Sequence, residues 1–234
     1  FFIPVMILLY WLISGIFFET SFINVYEDLF SEIIGSVTIS LISSIIITFL
    51  ATIVVLIIRK KIRVISFIIE KTSYIGLSLP GIVVAMSLVF FTINYLDFIY
   101  QTYIVLIFGY LISFLPAALT PVKSSVSQID PSLEEASYSL GKGKVMTFYN
   151  VIVKLSIPGV SYGGVLVFIL CIKELPLTLI LSPLGFSTLA TSIWSSASEA
   201  FFMDTAAASL VLILVAGIPT YIFMSNNLSK KVGL

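Results

Sequence analysis

The sequence predicts an all-α protein that crosses a membrane with six helices. Three observations lead to this class: the composition, the long apolar runs and the one-sided distribution of Lys and Arg. Of the 234 residues, 59% are hydrophobic and 10% are charged, whereas soluble domains carry roughly 45–50% apolar and about 25% charged residues. We therefore expect a polytopic membrane protein. The formal net charge of zero gives no reason to expect nucleic acid as a partner.

Six stretches are apolar and long enough to be membrane helices, since about 20 mostly apolar residues cross the hydrocarbon. The runs are continuous and do not alternate, which favours helices over a β-barrel. The first span, with an outer loop, forms an N-terminal part over residues 1–32. The other five lie in a main transmembrane domain, 33–234, at about residues 33–58, 72–96, 100–120, 155–181 and 205–224.

Outside the predicted spans, Lys and Arg lie on one side of the membrane. They fall between spans two and three, between spans four and five, and after span six: Arg59, Lys60, Lys61, Arg63, Lys71, Lys123, Lys142, Lys144, Lys154, Lys230 and Lys231. Because cytoplasmic loops are rich in Lys and Arg, we expect both termini to be cytoplasmic. Apolar residues between the basic ones over 59–71 predict an amphipathic helix on the membrane surface.

One long polar insert, residues 130–159, separates spans four and five; we call it the polar loop. Its start has the signals of a helix N-terminus. Asp130 is a good cap, Pro131 suits the first turn, and Ser132 with Glu135 has capping-box spacing. The polar loop should therefore begin with a short helix.

The short helix is predicted from about Leu133 to Leu140. Gly141 should end it in a left-handed conformation, and a second helix should start near Lys144. The polar loop is thus predicted as helix, glycine break, helix. On the cytoplasmic side, such an element is suited to contact with another protein, although it could also simply join two spans.

Lys173 and Glu174 are the one pair of charges inside a predicted span. Each costs about 2.5–3.5 kcal/mol at mid-membrane on insertion scales, so such residues usually face protein or a watery cavity. Pro176 should break the helix, because its ring clashes with the carbonyl of Ile172. Two interpretations stay open. The pair lines or gates a path through a discontinuous helix, or it stabilises the fold by snorkelling or pairing with other helices.

Pro80 and Gly81 form a second proline element, in span three. Proline removes a backbone donor and kinks a helix, while glycine permits the close approach of a neighbour. This kink can serve packing alone or belong to the same path.

The inventory of reactive residues excludes several kinds of site. The chain has no His and one Cys, Cys171, so disulfides and His/Cys metal sites within it are excluded. No carboxylate cluster has ligand spacing, so no metal site is predicted. The GKGK run at 141–144 does not match the phosphate-binding pattern GxxxxGK[ST]. We expect no catalytic residue and no cofactor in this chain, which is not an enzyme.

The sequence Glu135-Ala136-Ser137, followed by Gly141, resembles the EAA loop of ABC-importer permeases, with Ser137 in place of the second alanine. The resemblance implies the transmembrane fold of a type I importer. It also implies docking on a separate ATPase subunit, which would bind ATP and Mg²⁺. The residues that this resemblance assigns to docking are Leu133, Glu134, Glu135, Ala136, Ser137, Leu140 and Gly141.

The run from Lys173 to Pro183, KELPLTLILSP, continues into GFSTLA and then Ile193-Trp194. It resembles the segment KELPxTLxLRPxGFDTLAxxIW of ferric-iron permeases, although serines replace the arginine and the aspartate. The Leu-Pro-Gly of span three and the Phe-Leu-Pro of span four resemble further segments of that branch. The candidates for lining or gating the path are Lys173, Glu174, Pro176, Pro80 and Gly81.

The resemblance implies a permease subunit that forms half of a path for ferric iron. Its partners would be ATPase subunits, a periplasmic or lipid-anchored binding protein, and a second permease half. The first residue is Phe1, not Met, so we expect a fused N-terminal half rather than a second identical chain. The alternatives are a permease for thiamine, a polyamine or sulfate, or an ion-coupled secondary transporter that uses Lys173 and Glu174.

Overall fold

The structure, a computed structural model, describes residues 2–18, 22–59, 71–72 and 74–232. Within these ranges it is helical and contains no β-strand, which confirms the predicted all-α class. The α-helices are α1 (Phe2–Phe18), α2 (Phe22–Arg59), α3 (Gly81–Tyr95), α4 (Tyr103–Ser127), α5 (Pro131–Ser139), α6 (Lys144–Thr147), α7 (Lys154–Ile172), α8 (Pro176–Leu181), α9 (Leu189–Ser198) and α10 (Phe202–Val232). The surface helix predicted over 59–71 lies mostly outside the described residues.

Each predicted span contains an apolar helix. In the described part of the chain, four helical segments are long and apolar enough to cross a membrane: Asp28–Arg59, Tyr103–Ser127, Lys144–Ile172 and Phe202–Tyr221. Two shorter apolar helices, Phe2–Phe17 and Gly81–Tyr95, fall in the first and third predicted spans. The second and last helices extend past their predicted ends, because apolar length marks the membrane crossing and not the whole helix.

The predicted start of the third span is wrong. A 3₁₀ turn, Ile75–Ser78, comes first, and α3 begins only at Gly81. Pro80 therefore lies immediately before the helix and does not kink it. The physical reason is that proline, which has no N–H to donate, is tolerated at a helix start and costs stability in a helix interior.

Three other prolines have different effects on the helices. Pro116 and Pro121 lie inside α4, which continues to Ser127 and so passes the end predicted near residue 120. Pro176 starts a new helix, because α7 ends at Ile172 and α8 begins at Pro176. The predicted break in the fifth span is thus confirmed, and residues 173–175 connect the two helices.

Contacts divide the chain into two compact units. The first comprises Phe1–Ile42, Gly81–Tyr110 and Ile169–Leu234, and the second comprises Ser43–Pro80 and Leu111–Phe168. In the first unit, α10 packs on α1 and α9. The rings of Trp11 and Phe202 belong to this packing, with their centroids 4.8 Å apart.

In the second unit, small residues bring α4 and α7 together. A Cβ atom on Gly159 would lie 2.6 Å from the carbonyl oxygen of Pro121. One on Gly163, four residues later, would lie 3.2 Å from the carbonyl oxygen of Ala118. This is the small-xxx-small packing typical of membrane helices, in which two backbones approach closely.

Replacing Gly159 by Leu should therefore force α4 and α7 apart. We expect a loss of about 1–3 kcal/mol, as for other overpacked interiors, and a lower midpoint of thermal unfolding in detergent. The control is Gly217→Leu in α10, where an added Cβ meets no atom within 4 Å. Equal unfolding midpoints for the two variants would contradict this packing.

Candidate functional site

The polar loop begins with the helix that its sequence predicts. Asp130 is the N-cap of α5, and its Oδ1 accepts the N–H of Ser132 at 2.8 Å. Hydrogen bonds from the backbone and then the hydroxyl of Ser132 lower the pKa of Asp130. This cap therefore stabilises the loop above the ordinary Asp pKa and is lost as the pH falls through the lowered value. The capping box predicted for Ser132 and Glu135 is wrong, because Asp130 places Ser132 inside the first turn.

Gly141 ends α5 as predicted, with φ at +78°. Its N–H donates to the carbonyl of Tyr138 at 2.9 Å, and the N–H of Lys142 donates to the carbonyl of Ser137 at 3.2 Å. This pair of bonds is a Schellman motif, which favours glycine at the left-handed position. The chain reverses there and continues into α6 at Lys144, also as predicted.

A buried hydrogen bond joins the two helices of the polar loop. The hydroxyls of Ser137 and Thr147 are 2.9 Å apart, and both side chains are buried. An alanine at 137, as in the EAA pattern, could not form this bond. The serine that departs from the pattern therefore adds a hydrogen bond between α5 and α6.

The outer surface of the polar loop carries exposed apolar side chains. Leu140 is 78% exposed and Val145 is 84% exposed. We call this surface the loop patch, and its members are Leu133, Tyr138, Leu140, Val145, Met146 and Tyr149. The motif predicted only Leu133 and Leu140. The other four could have been found from the sequence as apolar residues in a segment that it predicts to be cytoplasmic.

The acidic residues of the loop differ in their surroundings. Glu135 and the neighbouring Ala136 are exposed. The Oε1 atom of Glu134, in contrast, lies 2.5 Å from Nη2 of Arg59, at the end of α2. Of the residues predicted to dock, Glu134 is thus engaged inside the chain and Ser137 is buried, while the rest are exposed.

The predicted gate residues meet at the break between α7 and α8. Glu174 Oε1 accepts the N–H of Leu177 at 3.3 Å, so it caps α8 where Leu175 has no side chain that can. A Cβ on Gly81 would lie 3.1 Å from the same oxygen. The glycine thus lets the start of α3 approach the carboxylate.

A second set of hydrogen bonds stabilises the break between α7 and α8. The Thr178 hydroxyl donates to the carbonyl of Glu174 at 2.7 Å and lies 2.5 Å from the hydroxyl of buried Tyr110. Lys173 and Pro80 are exposed. The structure therefore brings together Gly81, Glu174 and Pro176, and gives Glu174 a fold-stabilising contact.

Metal-binding groups are scarce in the described ranges. No group of three or more His, Cys, Asp or Glu there could hold a metal ion. The described residues form an exposed loop with internal hydrogen bonds and a broken helix beside a carboxylate.

The fold and these two sites define a membrane transport component. The chain belongs to the family of binding-protein-dependent transport system inner membrane components, whose model matches residues 59–233. It is similar to the Fe(3+)-transport system permease protein FbpB 2 of Haemophilus influenzae, with 30% identity over 220 residues. That match covers 94% of this chain and 43% of the relative, so the chain spans less than half of the relative's length.

Other relatives share shorter segments. The ferric transport system permease protein FbpB of Actinobacillus pleuropneumoniae is 29% identical over 123 residues, which is 50% of this chain and 18% of the relative. The spermidine/putrescine permease PotB of Escherichia coli is 36% identical over 63 residues, 27% of this chain and 23% of the relative. A crystal structure of an amino acid ABC transporter with histidines has the same fold, with a TM-score of 0.64 and 17% identity over 85% of this chain and 92% of that one.

Replacing Ser137 by Ala should open the polar loop, because it leaves the buried hydroxyl of Thr147 without this partner. Leaving a buried hydroxyl without a partner lowers the free energy of unfolding by about 1–3 kcal/mol, whereas removing both hydroxyls leaves it nearly unchanged. We therefore expect faster amide hydrogen exchange over the polar loop in S137A, and recovery in the double variant S137A/T147V. Exchange at the wild-type rate in S137A would contradict the bracing role.

Proposed function

We propose that this chain is the permease subunit of an ABC importer, and that the polar loop couples it to a separate ATPase. The loop patch is the observation that carries the proposal. Apolar side chains on a polar loop gain by being covered, and each Leu or Val buried contributes about 1.5–3 kcal/mol. The ATPase would bind the ATP and Mg²⁺.

The hydrogen bonds within the polar loop support a mechanical role. The Ser137–Thr147 bond and the Schellman motif at Gly141 brace the two helices against each other. When the ATPase subunits close on ATP, a braced loop would move as one piece and reorient the spans. The path would then alternate between outward and inward access.

The proposed orientation of the chain in the membrane depends on the distribution of Lys and Arg. The distribution of Lys and Arg favours cytoplasmic termini and a cytoplasmic polar loop in the cell inner membrane. Lys142 and Lys144 lie on the polar loop itself, close to the loop patch. The proposed docking surface would then face the compartment that contains ATP.

Ferric iron is the proposed substrate, supported by the similarity to the two FbpB proteins. An extracytoplasmic binding protein would deliver the ion, and a second permease half, fused or separate, would complete the path. Glu174, Pro176 and Gly81 are the proposed gate, with Lys173 and Pro80 beside them. Movement of the break between α7 and α8 would open or close the path.

Charged substitutions in the loop patch should prevent docking. We expect L140D and V145D each to reduce co-purification of the ATPase about tenfold or more, because a charge at the interface removes the apolar contribution. The control is L184D, since Leu184 is as exposed as Val145, at 84%, but lies outside the polar loop. If both loop variants retain the ATPase, the docking surface is wrong.

Uptake of radioactive ferric iron into vesicles should require ATP and the binding protein. Excess spermidine, thiamine or sulfate should leave it unchanged, and competition by one of these would identify a different substrate. ATP-independent uptake would instead favour an ion-coupled transporter.

If Glu174 gates the path, the E174Q variant should reach the membrane in normal yield but lose most iron uptake. The amide retains the shape of the carboxylate and not its charge. K173Q is the neighbouring comparison. Normal uptake by both variants would leave the pair with a role in the fold only.

A further inference from the structure

The end of α2 is attached to the polar loop by an ion pair. Arg59 is the last residue of α2, and its Nη2 atom contacts Oε1 of Glu134 at 2.5 Å. The two residues are 75 positions apart in sequence. The side chains of Arg59 and Glu134 are only 23% and 26% exposed, so solvent screens this ion pair less than a fully exposed one.

Glu134 is well placed for this contact within the chain. It lies in the first turn of α5, where the helix dipole favours a carboxylate. The next residue, Glu135, is exposed. Two neighbouring acids of the EAA-like segment thus have different environments, one inside the chain and one outside.

The space beside the ion pair allows its geometry to change. The pair lines a cavity of about 370 Å³, whose wall includes Val55, Val126 and Ile129. The Nη1 atom of Arg59 is buried and has no hydrogen-bond acceptor among the described residues. Because a guanidinium can bind a carboxylate through two parallel bonds, a small shift of α5 can convert the single contact into two or break it.

Movement of α2 would reach the protein interior. The helix carries a row of buried hydroxyls, Ser36, Ser40, Ser43, Ser44 and Thr48. Polar side chains of a membrane helix that are buried in this way face other helices rather than lipid. A displacement of Arg59 along the helix axis would move these hydroxyls with it.

We propose that the Arg59–Glu134 pair transmits movement of the polar loop to α2, so that both are positioning residues for transport. This inference rests on the proposed function, because the movement comes from the docked ATPase. It reassigns Glu134 from an ATPase contact to an internal link.

The test uses the reconstituted complex of this protein with its ATPase, its second permease half and its binding protein. The variants are R59E, E134R and the double swap R59E/E134R. Three quantities are measured: co-purification of the ATPase, basal ATP hydrolysis, and the increase in hydrolysis and uptake on adding iron-loaded binding protein. The matched control is E135R, which reverses the same charge one residue further on.

Each single variant should retain the ATPase and basal hydrolysis but lose the stimulated increase and the uptake about tenfold, within the range for residues in direct contact. The double swap should recover most of this loss, because it restores opposite charges. E135R should instead weaken co-purification of the ATPase.

Three results would overturn the link. They are normal stimulation in both single variants, a double swap no better than the singles, and loss of the ATPase from E134R but not from E135R. If charge reversal lowers membrane yield, R59Q and E134Q replace the single variants, with the same expected loss of stimulation. Failure of the wild-type protein to retain the ATPase would refute the proposed function itself and is therefore distinguishable.

Discussion

The buried hydrogen bond between Ser137 and Thr147 is the contact on which the proposed mechanism depends most. It joins α5 to α6, and in the same loop Leu140 and Val145 are exposed while Glu134 contacts Arg59. Loss of this bond would remove one of the contacts that hold α5 and α6 together. A loop that keeps its shape can transfer a displacement from a partner to the end of α2.

The break between α7 and α8 follows from proline and is stabilised by a carboxylate. Pro176 cannot continue α7, and Glu174 supplies the cap that α8 otherwise lacks. The same carboxylate lies against Gly81, where any larger residue would crowd it. Its role as a cap is compatible with the proposed role of Glu174 in the gate.

Local signals predicted a large part of the fold and of the candidate site. The cap at Asp130, the left-handed Gly141 and the break at Pro176 each depend on residues close in sequence. The position of Pro80 was not predictable in the same way, because a proline at a helix start and one inside a helix have the same apolar neighbours. The helix assignment there depends on the preceding 3₁₀ turn.

The remaining features depend on contacts distant in sequence or on surface exposure. The role of Ser137 requires knowledge that Thr147 is opposite, and that of Glu134 requires Arg59, far earlier in the chain. The motif assigned both to docking because a motif records positions and not orientations. Val145 and Met146 were missed because they lie outside the motif.

Labelling of a single cysteine tests the position of the polar loop most directly. Cys171 is buried, and Gly143 is exposed with open space around it. We predict that G143C reacts with a membrane-impermeant maleimide only in inside-out vesicles, and more slowly when the ATPase is bound. Labelling in right-side-out vesicles, or labelling that the ATPase does not slow, would contradict a cytoplasmic loop held by that partner.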